Sequence, residues 1–165
     1  VPTLMTIPAE QIGLWIQTGA LIVSAVGIVL TIRWTQAVAK RRATLDLVLS
    51  EQTDPEFLEL RNNFVNLRDE GDLVAYAKTP KERAEPNAQI RSILNRYELV
   101  AIGIKQKTID EKSYKDWCRT TLVKDWLECK PFVMEIRRQA KNPNFYCELE
   151  WLAKRWANNA EKQHI

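Results

Sequence analysis

The stretch Gln11–Ile32, QIGLWIQTGALIVSAVGIVLTI, decides how this chain is built. It holds 22 residues without a charge. At about 1.5 Å of rise per residue, a helix of that length crosses roughly 30 Å, the thickness of bilayer hydrocarbon. Trp15 and Trp34 flank it, ~28 Å apart along a helix, where interfacial aromatic belts belong. A secretory signal peptide has a basic leader and an apolar core of about 7–15 residues. Here the preceding charge is Glu10, and the run continues past Val23-Ser24-Ala25. A retained anchor is therefore expected, with residues 1–10 a short extracytoplasmic N-terminus and 11–33 the transmembrane helix. Met5 sits at a plausible native start, so residues 1–4 read as a start-site or processing remnant.

Outward from the span, the charge distribution is lopsided. All 24 Lys and Arg, and every one of the 21 Asp and Glu except Glu10, lie beyond Ile32. Arg33, Lys40, Arg41 and Arg42 follow the span directly and nothing basic precedes it. The positive-inside rule then puts the N-terminus out and residues 34–160 in the cytoplasm, in a single-pass inner-membrane topology. The bilayer is the first expected partner: the basic flank fixes topology, and its charges are also placed to meet anionic headgroups at on the order of 1 kcal/mol each. On the cytoplasmic side, Cys118, Cys129 and Cys147 are expected as reduced thiols.

Within the span, Gly13, Gln17, Ala20, Ser24, Gly27 and Thr31 follow one another at steps of four and three. They trace one seam of a left-handed helix pair. Every member is small or polar, whereas Leu14, Leu21, Ile28 and Leu30 fall off the seam. Small residues mark helix contacts in lipid, where no hydrophobic force drives association. The seam predicts packing against another membrane protein or a second copy of the chain.

Past the membrane the signals are helical throughout, so the fold class is all-α: one N-terminal transmembrane helix, then a cytoplasmic multi-helix bundle. The anchor is expected to run on through 35–52, with Leu45, Val48 and Leu49 as an emerging apolar stripe. Thr53-Asp54-Pro55-Glu56 reads as a capping box with Thr53 as N-cap. It opens a helix bearing Phe57, Leu60, Phe64 and Leu67 and ending at Gly71. A short helix over 72–78 and a proline-rich loop over 79–87 follow. The most apolar helix, with Ile90, Ile93, Leu94, Tyr97, Val100, Ala101 and Ile104, suits the middle of the bundle. Asp110 is the expected N-cap of a helix with Tyr114, Trp117, Leu122 and Trp126 on its core face. Pro131 is expected to restart or kink the chain. Asn142-Pro143 reads as the cap and first turn of a last helix, striped by Phe145, Leu149, Leu152 and Trp156. Trp151 lies off that stripe, which makes it either cover for the core's edge or a protein-interface candidate. Residues 161–165 are expected as a solvent-frayed tail.

Three stretches together resemble a known family: Arg41-Arg42-Ala43-Thr44-Leu45-Asp46 after the membrane helix, 94–104 (LNRYELVAIGI), and Asn142-Pro143 leading to Glu150-Trp151-Leu152-Ala153. The chain is similar to short bacterial and phage-borne proteins catalogued only as a domain of unknown function. The resemblance covers Trp15 to Trp156 and implies the same topology, a membrane helix plus a helical cytoplasmic domain. It brings no catalytic residue.

The search for chemistry is short. Glu98 lies on or beside the apolar stripe of its helix, and its simplest reading is an ion pair inside the bundle with Arg137, Arg138 or Arg61. An active-site acid is the other reading, but no second carboxylate, nucleophile or histidine is positioned with it. The cysteines have no C-x-x-C spacing and are expected as buried structural thiols. One histidine, His164, and three cysteines argue against a metal centre. Five glycines form no phosphate loop. The net charge of +3 comes from the membrane flank, leaving no basic stripe for nucleic acid. These features lead to no expected cofactor and to a non-enzymatic, membrane-anchored interaction module, an accessory or scaffold subunit. The alternative, resting on the phage-borne relatives, is an effector in phage–host conflict.

Overall fold

No helix breaker separates the apolar span from the charged segment after it, and one helix runs through both. In the computed structural model, which describes residues 9–79 and 82–164, α1 covers Ala9–Thr53. The other helices are α2 (Pro55–Asp69), α3 (Leu73–Lys78), α4 (Ala84–Lys105), α5 (Glu111–Ala140) and α6 (Cys147–Trp156), with a 3-10 turn at Glu161–Gln163. There is no strand among the described residues. The chain divides between Ala39 and Lys40 into two compact units. Of the predicted extracytoplasmic residues 1–10, Ala9 and Glu10 belong to α1 and residues 1–8 lie outside the described residues, as does the tail's Ile165.

The first unit is the upper part of α1, a helix long and apolar enough to cross a membrane. Its side chains from Gln17 onward are exposed. Two seam hydroxyls are satisfied internally: Ser24 Oγ donates to the Ala20 carbonyl and Thr31 Oγ1 to that of Gly27, both at 2.9 Å. Such back-bonding leaves neither hydroxyl bare, as an apolar surrounding would require.

The second unit buries a core around α4, whose Ile90, Ile93, Leu94, Val100 and Ala101 are almost fully enclosed. α2, α3 and α6 pack on α4, and α5 packs on α3 and α6. α5 turns Tyr114, Cys118, Leu122, Asp125, Trp126, Cys129, Phe132 and Ile136 inward. The lower end of α1 joins this core through Thr44 and Glu51, both buried, and the half-buried Leu47 and Val48. Leu45 and Leu49, predicted for that face, are exposed; the inward stripe is rotated by about one residue. What turns the helix is polar: Thr44 Oγ1 accepts the Asp110 N–H at 2.8 Å, and Glu51 pairs with Arg96 at 2.7 Å.

Several expected boundaries shift. Asp54, not Thr53, caps α2, its carboxylate accepting the Glu56 N–H at 3.0 Å; Thr53 is still helical and donates to Leu49. α4 begins at Ala84, inside the predicted loop, because Asn87 ties it to α3 through a 2.8 Å bond to the Tyr76 carbonyl. Pro131 does not restart the chain, since α5 continues through it to Ala140. Asn142 caps only a turn, through the Asn144 N–H, and α6 starts later, after Tyr146 in a left-handed conformation at φ 57°. Trp126 is buried as expected, whereas Trp117 is 52% exposed because α5 presents Tyr114 and Cys118 inward instead. The tail is held: Glu161 pairs with Arg119 at 2.5 Å and accepts the Asn158 N–H at 2.7 Å.

Candidate functional site

The most developed polar site in the bundle is built from three helices. α2 carries Arg61 and Arg68 two turns apart, on one face. α4 supplies Tyr97, and α5 supplies Asp125, a carboxylate with no solvent exposure. Arg61 Nη1 lies 2.6 Å from Asp125 Oδ2, and Arg68 Nη1 lies 2.9 Å from Oδ1. Tyr97 donates its hydroxyl to Oδ2 at 2.8 Å while accepting from Arg61 Nη1 at 3.0 Å. Arg68 also meets Glu128 at 2.9 Å and Asp69 at 3.0 Å. Burial and the neighbouring Asp125 hold the Tyr97 phenol well above its ordinary range. For Arg61, burial is outweighed by Tyr97 and Asp125, which hold the guanidinium above its usual value.

Over this network opens a cleft of about 370 Å³ lined by Phe57, Leu58, Arg61, Tyr97, Trp117 and Cys118, among others. Its rim is apolar: Trp117 and Leu58 are 52% and 40% exposed. Arg96 lies over the Phe57 ring at 4.1 Å. The floor offers little reactivity. Burial pushes the Cys118 thiol up to about 11, far from the thiolate a nucleophile needs. Cys129 is raised further for the same reason. The arrangement neutralises charge beneath the exposed Trp117 and Leu58.

Glu98 and Arg137 do not form the predicted pair. Both carboxylate oxygens of Glu98 turn to the start of α6, accepting the Glu148 N–H at 3.2 Å and the Leu149 N–H at 2.6 Å. Arg137 instead bonds Glu150 at 2.8 Å and the Phe145 carbonyl at 2.9 Å. The other candidate partners are also engaged, Arg138 with Glu135 and Arg61 with Asp125. Cys147, expected buried, is exposed; Cys118 and Cys129 are buried.

The seam residues Gln17, Ala20, Ser24, Gly27 and Thr31 are exposed, and a Cβ added at Gly27 would meet nothing within 4 Å. The side-chain surroundings of Gly13 lie outside the described residues. Trp15, Trp34, Arg33, Arg41 and Arg42 are exposed and Lys40 is half-buried. Trp151 is half-buried, with Lys105 and Arg155 against its ring at 5.8 and 5.6 Å. Two of the predicted positions come together: Lys40 and Trp151 line one pocket with Lys105, Lys107 and Arg155.

Sequence reasoning missed Asp125, although a signal existed. The inward positions of α5 run 118, 122, 125, 129, 132 and 136, so Asp125 lies within an otherwise apolar stripe, and Arg61 falls between Phe57 and Phe64 on α2. A buried acid needs a partner, and a base at a core-facing position is one that such a pattern supplies.

Residues 14–156 match the family model described as Domain of unknown function (DUF4760). No curated protein and no solved structure matches the chain.

Proposed function

The chain belongs to the DUF4760 family, which supplies no activity, and from its own architecture we infer that it is a non-enzymatic, membrane-anchored interaction module. In this reading α1 anchors the chain in a bacterial inner membrane with the N-terminus out, and the helical bundle holds a partner protein in the cytoplasm as an accessory or scaffold subunit. One observation carries it: the exposed Trp117 and Leu58 stand at the mouth of a cleft whose charged floor is already paired. An exposed Trp beside a pocket, over groups that demand nothing from a ligand, is the composition of a binding hot spot. The small-residue seam in α1 supports contact with the same partner within the membrane.

The test is native mass and subunit identification after mild-detergent extraction of the full chain from its own membranes. A complex, lost on Trp117→Ala with Leu58→Ala and weakened by Gly27→Leu with Ala20→Leu, is expected. A lone monomer in the unmodified protein would overturn the reading.

A further inference from the structure

The pocket around Trp151 has a different character from the cleft. Lys40, Lys105, Lys107 and Arg155 line it, against a single carboxylate, Glu111, with Ile104 and the Trp151 ring as apolar wall. Its cations divide into two pairs. Lys105 is held by both oxygens of Glu148 at 2.8 Å, and Arg155 by both oxygens of Glu111 at 2.7 and 3.1 Å. Glu111 is used up further by the Trp156 indole N–H at 3.1 Å. These two pairs fix Lys105 and Arg155 against the Trp151 ring. Lys40 and Lys107 form no ion pair among the described residues, although Lys40 lies near enough to Asp110 to help hold that carboxyl low. Lys107 stands on a turn with φ 61°, which holds its backbone beside the end of α4.

Two ion-paired cations, two ammonium groups outside any ion pair and an indole face make a site for a phosphate with an apolar attachment. A free anion would use the charges but not Trp151 or Ile104. Tryptophan beside Lys and Arg is also the composition of a membrane–water interface. The source of such a ligand is close in chain terms. Lys40 lies seven residues past Arg33, so in any conformation no more than about 24 Å of chain separates the pocket from the apolar span.

We propose that this pocket binds the phosphate headgroup of an anionic membrane phospholipid, with Lys40 and Lys107 as its principal charge partners and Trp151 packing against the glycerol and first acyl carbons. The proposal is independent of the protein-partner reading and stands or falls without it. Each lysine contributes on the order of fivefold to retention, and the two together roughly 30-fold.

The experiment uses the full chain in non-ionic detergent. Bound lipid is counted by native mass spectrometry after incubation with phosphatidylglycerol or with phosphatidylcholine of the same acyl chains. Phosphatidylglycerol should be retained in preference. Lys40→Gln with Lys107→Gln should lose it, whereas Lys40→Arg with Lys107→Arg should keep it. Lys107 is exposed, Lys40 is half-buried and neither is ion-paired, so both double variants should fold, which circular dichroism checks. A control, Lys124→Gln with Lys162→Gln, removes the same charge outside the pocket and should change nothing. Three outcomes would overturn the proposal. The glutamine pair could retain lipid like the unmodified chain, or the control could lose it equally. Excess inorganic phosphate could also compete as well as phosphatidylglycerol does, making the ligand a free phosphate rather than a lipid.

Discussion

Arg61 and Asp125 meet at 2.6 Å from helices 64 residues apart in sequence, on a carboxylate that no solvent reaches. With Arg68 on its other oxygen, the carboxylate is shared by two guanidinium groups, and Glu128 and Asp69 supply Arg68 with further negative charge. Breaking such a cluster from one side strands the rest. Asp125→Ala should cost about 3–5 kcal/mol of unfolding free energy, because Arg61 then lacks its counter-charge and Arg68 keeps only the more exposed Glu128 and Asp69. Replacing all three by apolar residues of similar volume (Arg61→Met, Arg68→Leu, Asp125→Leu) should cost clearly less, about 1–3 kcal/mol for the buried Tyr97 hydroxyl left without its partners, since it removes the desolvation cost together with the pairing. Denaturant unfolding of the full chain in detergent checks both. Equal losses in the single and triple variants would show that the site matters for its shape rather than its charge.

Glu98 works at a distance from its own helix. α6 has no local side-chain cap, and Glu98 supplies it from α4 by taking two backbone N–H groups of the first turn. A carboxylate there also meets the positive end of the helix dipole. Glu98→Gln leaves a single acceptor oxygen and no charge, and should cost about 1–2 kcal/mol. The loss should be local: faster amide exchange at Glu148 and Leu149, with exchange in α5 unchanged. Unchanged exchange at those two amides would remove Glu98 from its capping role.

These two residues show where legibility in the sequence stops. The helices of the bundle follow from apolar periodicity, and Asp110, Gly71 and the stripe of α4 lie where pattern and capping chemistry place them. The start of α6 does not, because its cap comes from residue 98 and not from Asn142. Periodicity places a polar residue beside a core without saying what it faces. Glu98 and Asp125 each lie on or beside an apolar stripe; one meets backbone N–H groups and the other two arginines, and only the packing of α2, α4, α5 and α6 separates the cases. The same holds for Leu45 and Leu49, whose exposure reflects a helix rotated by the bonds of Thr44 and Glu51.

The turn from α4 to α5 depends on a glycine. The Gly103 carbonyl accepts the N–H groups of Thr108 and Ile109 at 2.9 and 3.1 Å, and Ile109 closes over the glycine itself. A Cβ at 103 would stand 2.6 Å from Ile109 Cδ1 and 2.9 Å from Cγ1. Gly103→Ala therefore overpacks the turn, despite alanine's better helix propensity, and should destabilise by about 1–3 kcal/mol. Adding Ile109→Val, which removes the nearest methyl, should recover part of that loss. A stabilising Gly103→Ala would mean that Ile109 moves aside freely.

The response to pH should be limited on both sides by identifiable groups. Ser113 holds the Asp110 carboxyl low through its hydroxyl and N–H, and Arg155 does so for Glu111. Arg138 and Gln139 pull Glu135 down to about 2. For Glu150, burial acts upward but is outweighed by Lys154 and Arg137. Acids depressed in the folded state contribute stability above their unfolded values of about 4, and it is lost as pH falls through the folded ones. On the alkaline side the sign reverses. Burial raises the Cys118 thiol to about 11 and raises Cys129 as well. Above an unfolded thiol value of about 8.5, the unfolded chain loses protons that the folded chain keeps, so stability falls with rising pH. The melting temperature of the full chain in detergent should be level from about pH 5 to 8 and decline on either side. Cys118→Ala with Cys129→Ala should flatten the alkaline limb and leave the acid limb in place. An alkaline limb unchanged in that variant would assign the loss to other groups, with the buried phenols of Tyr97 and Tyr114 next in line.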